Sequence, residues 1–380
     1  MNRNLCDLLQ VANDIQQQQF LPADRQLNSI AQRVADQETA CDRLTLRFVE
    51  ALQARTAGDG FGAGNLYQGT TTVSEHDMIS AFRMLVEATP LIRFGYQYAN
   101  QALVSHLKDE RQVHLIDIGI TPGTQWVSFF EQLAAATPRP PSIRLTGIDV
   151  PFSDSDPLKR LNEVGTRLTN CARQFGIDFC YQPIASYVEQ LDFRQIAVRP
   201  DEVLAINATL AMHHTPTADA VRNENHSRDA VLRRLRSLNP KILTLIEPDS
   251  DHNALPFVAR VQEAFRHYLA VFEALENVLP KESKERFVLE NAFFGREVLN
   301  VIAAEGPSRV ERHERSDSWR RRLTQSGFQM LPYSQQAIQQ ESKTLRLGSP
   351  FSLQNSAGMV RLQYRQTSLL AASAWCASSV

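Results

Sequence analysis

From Val113 onward, short apolar runs alternate with long helix-patterned segments, and this alternation restricts the fold more than any other feature of the chain. The runs cover 113–118, 143–150, 179–184, 203–207 and 242–247. Helical patterns lie between and after them, near 124–136, 157–175, 227–238 and 255–277. Strands buried on both faces read as continuous apolar stretches, because helical crossovers cover both sides of a parallel sheet. Five such repeats predict a doubly wound α/β fold. The tail changes texture: a helix is expected around 284–304, another near 316–326, then strands at 327–333, 357–364 and 368–375. The last two face each other across 365–367, a connection short enough for a hairpin.

The first part of the chain, 1–110, reads as helical and little else, and is expected to form a cap on a core spanning 111–380, with the helices near 284–304 joining the cap. Leu27, Ile30, Val34, Leu44, Phe48 and Leu52 fall at three- and four-residue steps, giving one apolar stripe over 26–55. A stretch with five glycines between Gly58 and Gly69 is expected to be a mobile loop. Ser74 and Asp77 have capping-box spacing at the start of the next helix, and another follows Pro90 to about 108.

With 40 basic against 42 acidic residues and a net charge of -2, the 380-residue chain lacks the electrostatic footprint of a duplex DNA binder, so nucleic acid is an unlikely partner. Five scattered cysteines without a C-x-x-C argue against a disulfide framework or a zinc ribbon. The polar first ten residues lack the apolar stretch of a signal peptide, and no run of 18 apolar residues is present. The expectation is a cytoplasmic chain with reduced thiols and no membrane partner.

In open α/β sheets, ligands sit beyond the carboxyl ends of the strands. A parallel sheet finished by an antiparallel hairpin is also the layout of class I S-adenosylmethionine-dependent methyltransferases, which carry an acid-x-Gly-x-Gly-x-Gly loop after the first strand. Here the first strand ends in Asp117, with Gly119, Thr121 and Gly123 in the loop; Thr121 replaces the middle glycine. The alternative is a tight strand-to-helix turn without a ligand. Asp149, ending the second strand, is placed to accept from ribose hydroxyls, or to cap the next helix. Ala185, ending the third run, falls where related enzymes contact adenine.

The fourth strand ends at Asn207, a candidate substrate-orienting group, and His213 and His214 follow as candidate general bases; packing and capping are the bland alternative. Glu247 opens a polar cluster at the end of the fifth strand that includes Asn253, as candidate base and substrate contact. No metal site is expected, for want of further ligands at suitable spacing and of an H-E-x-x-H motif. The absence of G-x-S-x-G removes α/β-hydrolase chemistry. In 309–322, six arginines interleave with Glu311, Glu314 and Asp317, which favours a solvated, salt-bridged face over a nucleic-acid patch.

Taken in order, these motifs resemble the GRAS family. Val113-His114-Leu115-Ile116-Asp117, extended by Gly123-x-Gln125-Trp126, looks like its VHIID motif, and Asn207 with His213-His214 like its V-N…L-H-H segment. Arg296 to Gly306, then Arg309-Val310-Glu311-Arg312-His313-Glu314, resemble its PFYRE and following regions, and Ser373-Ala374-Trp375 its terminal SAW motif. The resemblance implies two readings. One is a S-adenosylmethionine-binding, methyltransferase-like protein acting on a small molecule, with Trp126 added to the substrate contacts. The other is a non-catalytic transcriptional regulator acting through protein partners bound at the cap. Only about 75 residues precede the clearly shared region, and Gly119 stands where plant relatives often carry aspartate. The short leading region, together with Cys376 after Trp375 where a basic residue is often found, points to the bacterial branch of the family, and Gly119 brings the first loop closer to a cofactor-binding loop.

Overall fold

The computed structural model describes residues 2–58 and 74–378. The glycine-rich loop expected over 56–72 lies, from residue 59, outside the described residues.

Three helices open the chain: α1 (Arg3–Gln16), α2 (Phe20–Arg33) and α3 (Ala40–Ala57). The single stripe expected over 26–55 is thus two helices, and the break falls just before a complete Thr39/Asp42 capping box that starts α3 afresh. After α4 (Glu75–Ala88) and α5 (Pro90–Leu107) comes the alternation read from the sequence. It runs β1 (Gln112–Ile118), α6 (Thr124–Ala136), β2 (Ser142–Asp149), α7 (Lys159–Gln174), β3 (Phe179–Ala185), β4 (Val203–Thr209), α8 (Arg228–Ser237), β5 (Ile242–Pro248) and α9 (Phe257–Val278). Then follow α10 (Lys284–Val288), a π turn (Leu289–Phe293), α11 (Phe294–Ala303), α12 (Ser316–Gln325), β6 (Phe328–Leu331), α13 (Gln335–Thr344), β7 (Phe351–Ser356), β8 (Met359–Tyr364) and β9 (Thr367–Ala377). The sequence reading did not anticipate α13 or β7.

The strands form one sheet in the order β3-β2-β1-β4-β5-β9-β8-β7, with β6 also pairing with β9. β1 to β5 are parallel, and β9 inserts antiparallel beside β5. The order reverses between β1 and β4, so their carboxyl ends border the crevice that such sheets use for ligands. This is a mostly parallel, Rossmann-like sheet of methyltransferase type with antiparallel C-terminal strands, as the sequence predicts.

Alternation along each strand separates two cores. Leu115, Ala205 and Ile246 face the layer that includes α5, α6 and α7, whereas Ile116, Ile206 and Leu245 face α8 and α12 around Trp319 and Trp375. A third cluster joins α1, α2 and α3 to α9 and α11 through Leu27, Phe48, Phe265 and Val298. Helix α9, 22 residues and about 33 Å long, contributes Phe265 and Phe272 to that cluster and Val271 and Leu275 to the sheet's own. It is the wall shared by these two clusters. Helices α4 and α5 pack with the sheet's cluster, through residues such as Leu85 and Phe94. No helix among the described residues is long and apolar enough to cross a membrane.

Candidate functional site

Two polar clusters occupy the carboxyl edge of the sheet. The first lies under the loop after β1. Gly119 and Gly123 take left-handed backbone conformations, φ 80° and 79°. The amide of Gly119 donates to the Ile148 carbonyl (2.9 Å) and that of Thr121 to Asp149 Oδ2 (3.0 Å), laying the loop across the end of β2. The second Asp149 oxygen accepts from the Val150 amide at 2.8 Å. Ala185 pairs with Asp149 in the sheet register, where the sequence placed the adenine contact.

Asp117 points away from the loop. Its Oδ2 accepts from the Trp126 indole N–H (2.6 Å) and its Oδ1 from Asn207 Nδ2 (2.7 Å), and the residue is 3% exposed. Asn207 in turn exchanges hydrogen bonds with Gln125 and accepts from Thr244 Oγ1, and Gln125 reaches Asn100. This closed network follows from the period of the strands: Asp117, Asn207 and Thr244 share the face of their sheet that meets α5 and α6. Burial, countered in part by the bonds from Asn207 and Trp126, pushes the Asp117 carboxyl up to about 7. The candidate substrate residues Trp126 and Asn207 are therefore held by Asp117 inside the core.

Above them, a Cβ added to Gly119 would lie 2.7 Å from the Cβ of Ala211, which follows β4. That glycine is needed for close packing of the two strand ends as well as for its φ. As folded, these residues offer a nucleoside cofactor neither a free Asp117 oxygen nor open space at Gly119, so they do not fit one without rearrangement.

The second cluster begins one turn further on. After β4 the chain enters a short 3₁₀ turn, Met212–His214, whose Met212 amide donates to Glu247 Oε1 at 2.7 Å. His213 Nδ1 meets the other Glu247 oxygen at 2.5 Å. So the sequence-named His213, His214 and Glu247 do come together, and two further groups complete the arrangement. Glu311 reaches His213 Nε2 (3.4 Å), His214 Nε2 (3.3 Å) and His313 Nε2 (3.2 Å). His313 Nδ1 meets His252 Nδ1 at 2.8 Å, and His252 Nε2 meets Ser250 Oγ at 3.0 Å. Burial holds His213 well below the ordinary imidazole value and pushes Glu247 up to about 7. Burial opposes the charge on His313 too, but Glu311 beside it outweighs that and raises it.

Glu311 and His313 belong to the arginine-rich segment expected to be a solvated face. That expectation is overturned for 309–314, where Arg309, Glu311, Arg312, His313 and Glu314 are all buried, and holds for 315–322, where Arg315, Asp317 and Arg321 are exposed and Arg320 pairs with Asp317. The segment threads between the turn after β4 and the loop after β5, with the Arg312 amide donating to the His213 carbonyl and the His252 amide to that of His313. Arg228, fully buried, fastens it by donating to the carbonyls of Thr215, His213 and Arg312 while facing Glu314 at 3.2 Å. Asn253, the other candidate contact, is tied to Glu314 and Arg312. A charge run by itself carries no sign of such pairing, so only the resemblance to the family's ordered motif marked this segment.

A model of the GRAS domain family matches residues 5–376. The chitin-inducible gibberellin-responsive protein 1 of Oryza sativa subsp. japonica is 36% identical over 336 residues, which is 88% of this chain and 58% of that protein. The Scarecrow-like transcription factor PAT1 of Arabidopsis thaliana is 33% identical over 370 residues, 97% of this chain and 75% of that protein. The chain thus spans little more than half the length of the first of these relatives. The crystal structure of SCL7 from Oryza sativa superposes with a TM-score of 0.83 at 27% identity, covering 99% of this chain and 100% of that one. The chain belongs to the GRAS domain family. Its match begins at residue 5, so the first 75 residues are shared as well, and these relatives are plant proteins. The bacterial branch expected from the sequence finds no support among these relatives.

Proposed function

We propose that this member of the GRAS domain family is a non-catalytic regulator of transcription that holds a protein partner on its helical face, with the methyltransferase-type sheet as scaffold. The observation that carries this reading is the self-satisfied strand edge: both oxygens of Asp117 are taken by Trp126 and Asn207, and Ala211 fills the space over Gly119. One relative is itself named a transcription factor. The helical face offers a surface suited to a partner. Helices α4 and α10 pack together, linked by Lys284 Nζ and Asp77 Oδ1 at 2.8 Å, and each leaves a large apolar side chain exposed, Ile79 at 63% and Phe287 at 62%. A role in transcription does not require the cytoplasmic location expected from the sequence.

The test is to fuse the chain to a heterologous DNA-binding domain and read a reporter gene. The reading predicts altered transcription, abolished by Ile79→Asp with Phe287→Asp and untouched by Asp149→Ala. An unaltered reporter, together with methyl transfer to any acceptor by the purified protein, would sink it.

The second reading is a S-adenosylmethionine-dependent methyltransferase acting on a small molecule. It is supported by the strand order and by Asp149 at the end of β2, beside Gly119 and Gly123. It requires Ala211 and the loop to move apart before the cofactor enters.

A further inference from the structure

We infer that His213, His214 and Glu311 form a binding site for a divalent zinc-class cation beside the carboxyl ends of β4 and β5, with His313 against the same carboxylate. Ligand atoms of His213, His214 and Glu311 all lie within 4.8 Å of one another, and those of Glu297, Glu311 and His313 do likewise. Glu311 is common to both groups. Its contacts to the three imidazole Nε2 atoms measure 3.4, 3.3 and 3.2 Å. A tetrahedral ion with bonds of about 2.0–2.1 Å holds its ligands about 3.3–3.4 Å apart. The contacts to His213 and His214 therefore have the spacing of ligands around a common ion, while His313 falls in the second group with Glu311 and Glu297.

A second observation points the same way. Glu311 Oε2 and His313 Nε2 are buried, on residues 1% exposed; they face each other at 3.2 Å, and neither makes a hydrogen bond to any other described residue. Groups orphaned in this way are rare and call for an explanation such as an ion. Both lie inside the cluster.

The surroundings are those of a metal site. A ligating imidazole presents one nitrogen to the ion and donates with the other to an acceptor that fixes its orientation. His213 does this toward Glu247 at 2.5 Å. For His313 the chain of donors is consistent throughout: its Nδ1–H donates to His252 Nδ1, the His252 Nε2–H donates to Ser250 Oγ, and that hydroxyl donates to Glu263 Oε1 at 3.1 Å. This assignment leaves His313 Nε2 facing Glu311. His214, with 44% of its side chain exposed, opens the cluster to solvent and supplies an entry path. Two imidazoles and a carboxylate, with the fourth position left open, suit zinc better than magnesium or calcium, which prefer all-oxygen shells.

The experiment strips the purified chain with a chelator, adds Zn²⁺, Mg²⁺ or Co²⁺ separately, desalts it and measures bound metal by mass spectrometry. One equivalent of zinc should be retained by the wild type and by His226→Ala, an exposed histidine elsewhere. His214→Ala and Glu311→Gln should each retain less than about a tenth as much. His214→Ala should melt like the metal-free wild type, showing an intact fold, and the Co²⁺ form should have the strong visible absorption of a tetrahedral site. Less than about a tenth of an equivalent in the wild type, or equal retention by His214→Ala, would overturn the proposal.

Discussion

Two buried polar clusters lie at the same edge of one sheet, and they differ in how completely they satisfy themselves. Around Asp117, the indole N–H of Trp126, the amides of Asn207 and Gln125 and the hydroxyl of Thr244 each have a partner, and the network closes between sheet and helices. Around Glu311, a carboxylate oxygen and an imidazole nitrogen face each other without a hydrogen bond, and His214 leads out to solvent. A complete buried network makes a core specific and rigid; an incomplete one leaves chemistry available. The edge where a nucleoside cofactor is expected is the complete one. Unmatched groups sit one strand away, where the sequence suggested only a base.

The largest expected effect breaks the second cluster at its support. Arg228→Ala leaves Glu314 and three carbonyls without their buried cation, and should cost about 3–5 kcal/mol in chemical denaturation. Next is a pH effect to which Asp117 and Glu247 both contribute, and which a substitution at Asp117 apportions. The folded Asp117 carboxyl is raised to about 7 by burial, while the unfolded group ionises near 4. Below pH 4 both states hold the proton and Asp117 adds nothing. As pH rises from 4 to 7 only the unfolded state releases it, so stability falls by an amount on the order of a few kcal/mol and then levels off. Asp117→Asn should flatten that part of the stability–pH curve. An unchanged slope would show that the carboxyl is not held in its network.

Smaller again is Gly119→Ala, which meets Ala211 and a left-handed φ and should cost about 1–3 kcal/mol. Adding Ala211→Gly should restore the steric part and leave the backbone part. Full additivity of the two would show that the strand ends do not touch. Smallest is His214→Ala, expected to change metal-free stability by no more than about 0.5 kcal/mol.

The same contrast shows what the sequence could convey. Strands β1 to β5 were legible because burial on both faces leaves apolar runs, and crossover helices keep their own period. Residues placed at strand ends, such as Asp117, His213 and Glu247, were legible for the same reason. What Asp117 touches was not, since Trp126 and Asn207 reach it through tertiary packing at separations of 9 and 90 residues. The burial of Glu311 and His313 was illegible because an alternating charge run looks alike whether its ions pair with water or with one another. The break between α2 and α3 was hidden by apolar residues whose spacing continues through it, although Thr39 and Asp42 carried the capping signal.

The most direct measurement is thermal unfolding of the pure chain with millimolar S-adenosylmethionine or S-adenosylhomocysteine, alongside Asp149→Ala. The account predicts no shift for either ligand, because the strand edge is filled by the protein's own side chains. A ligand bound only to the folded state at 100 times its dissociation constant adds about 2.7 kcal/mol. A stabilisation of that size, lost in Asp149→Ala, would contradict the account and make the sheet a working cofactor site.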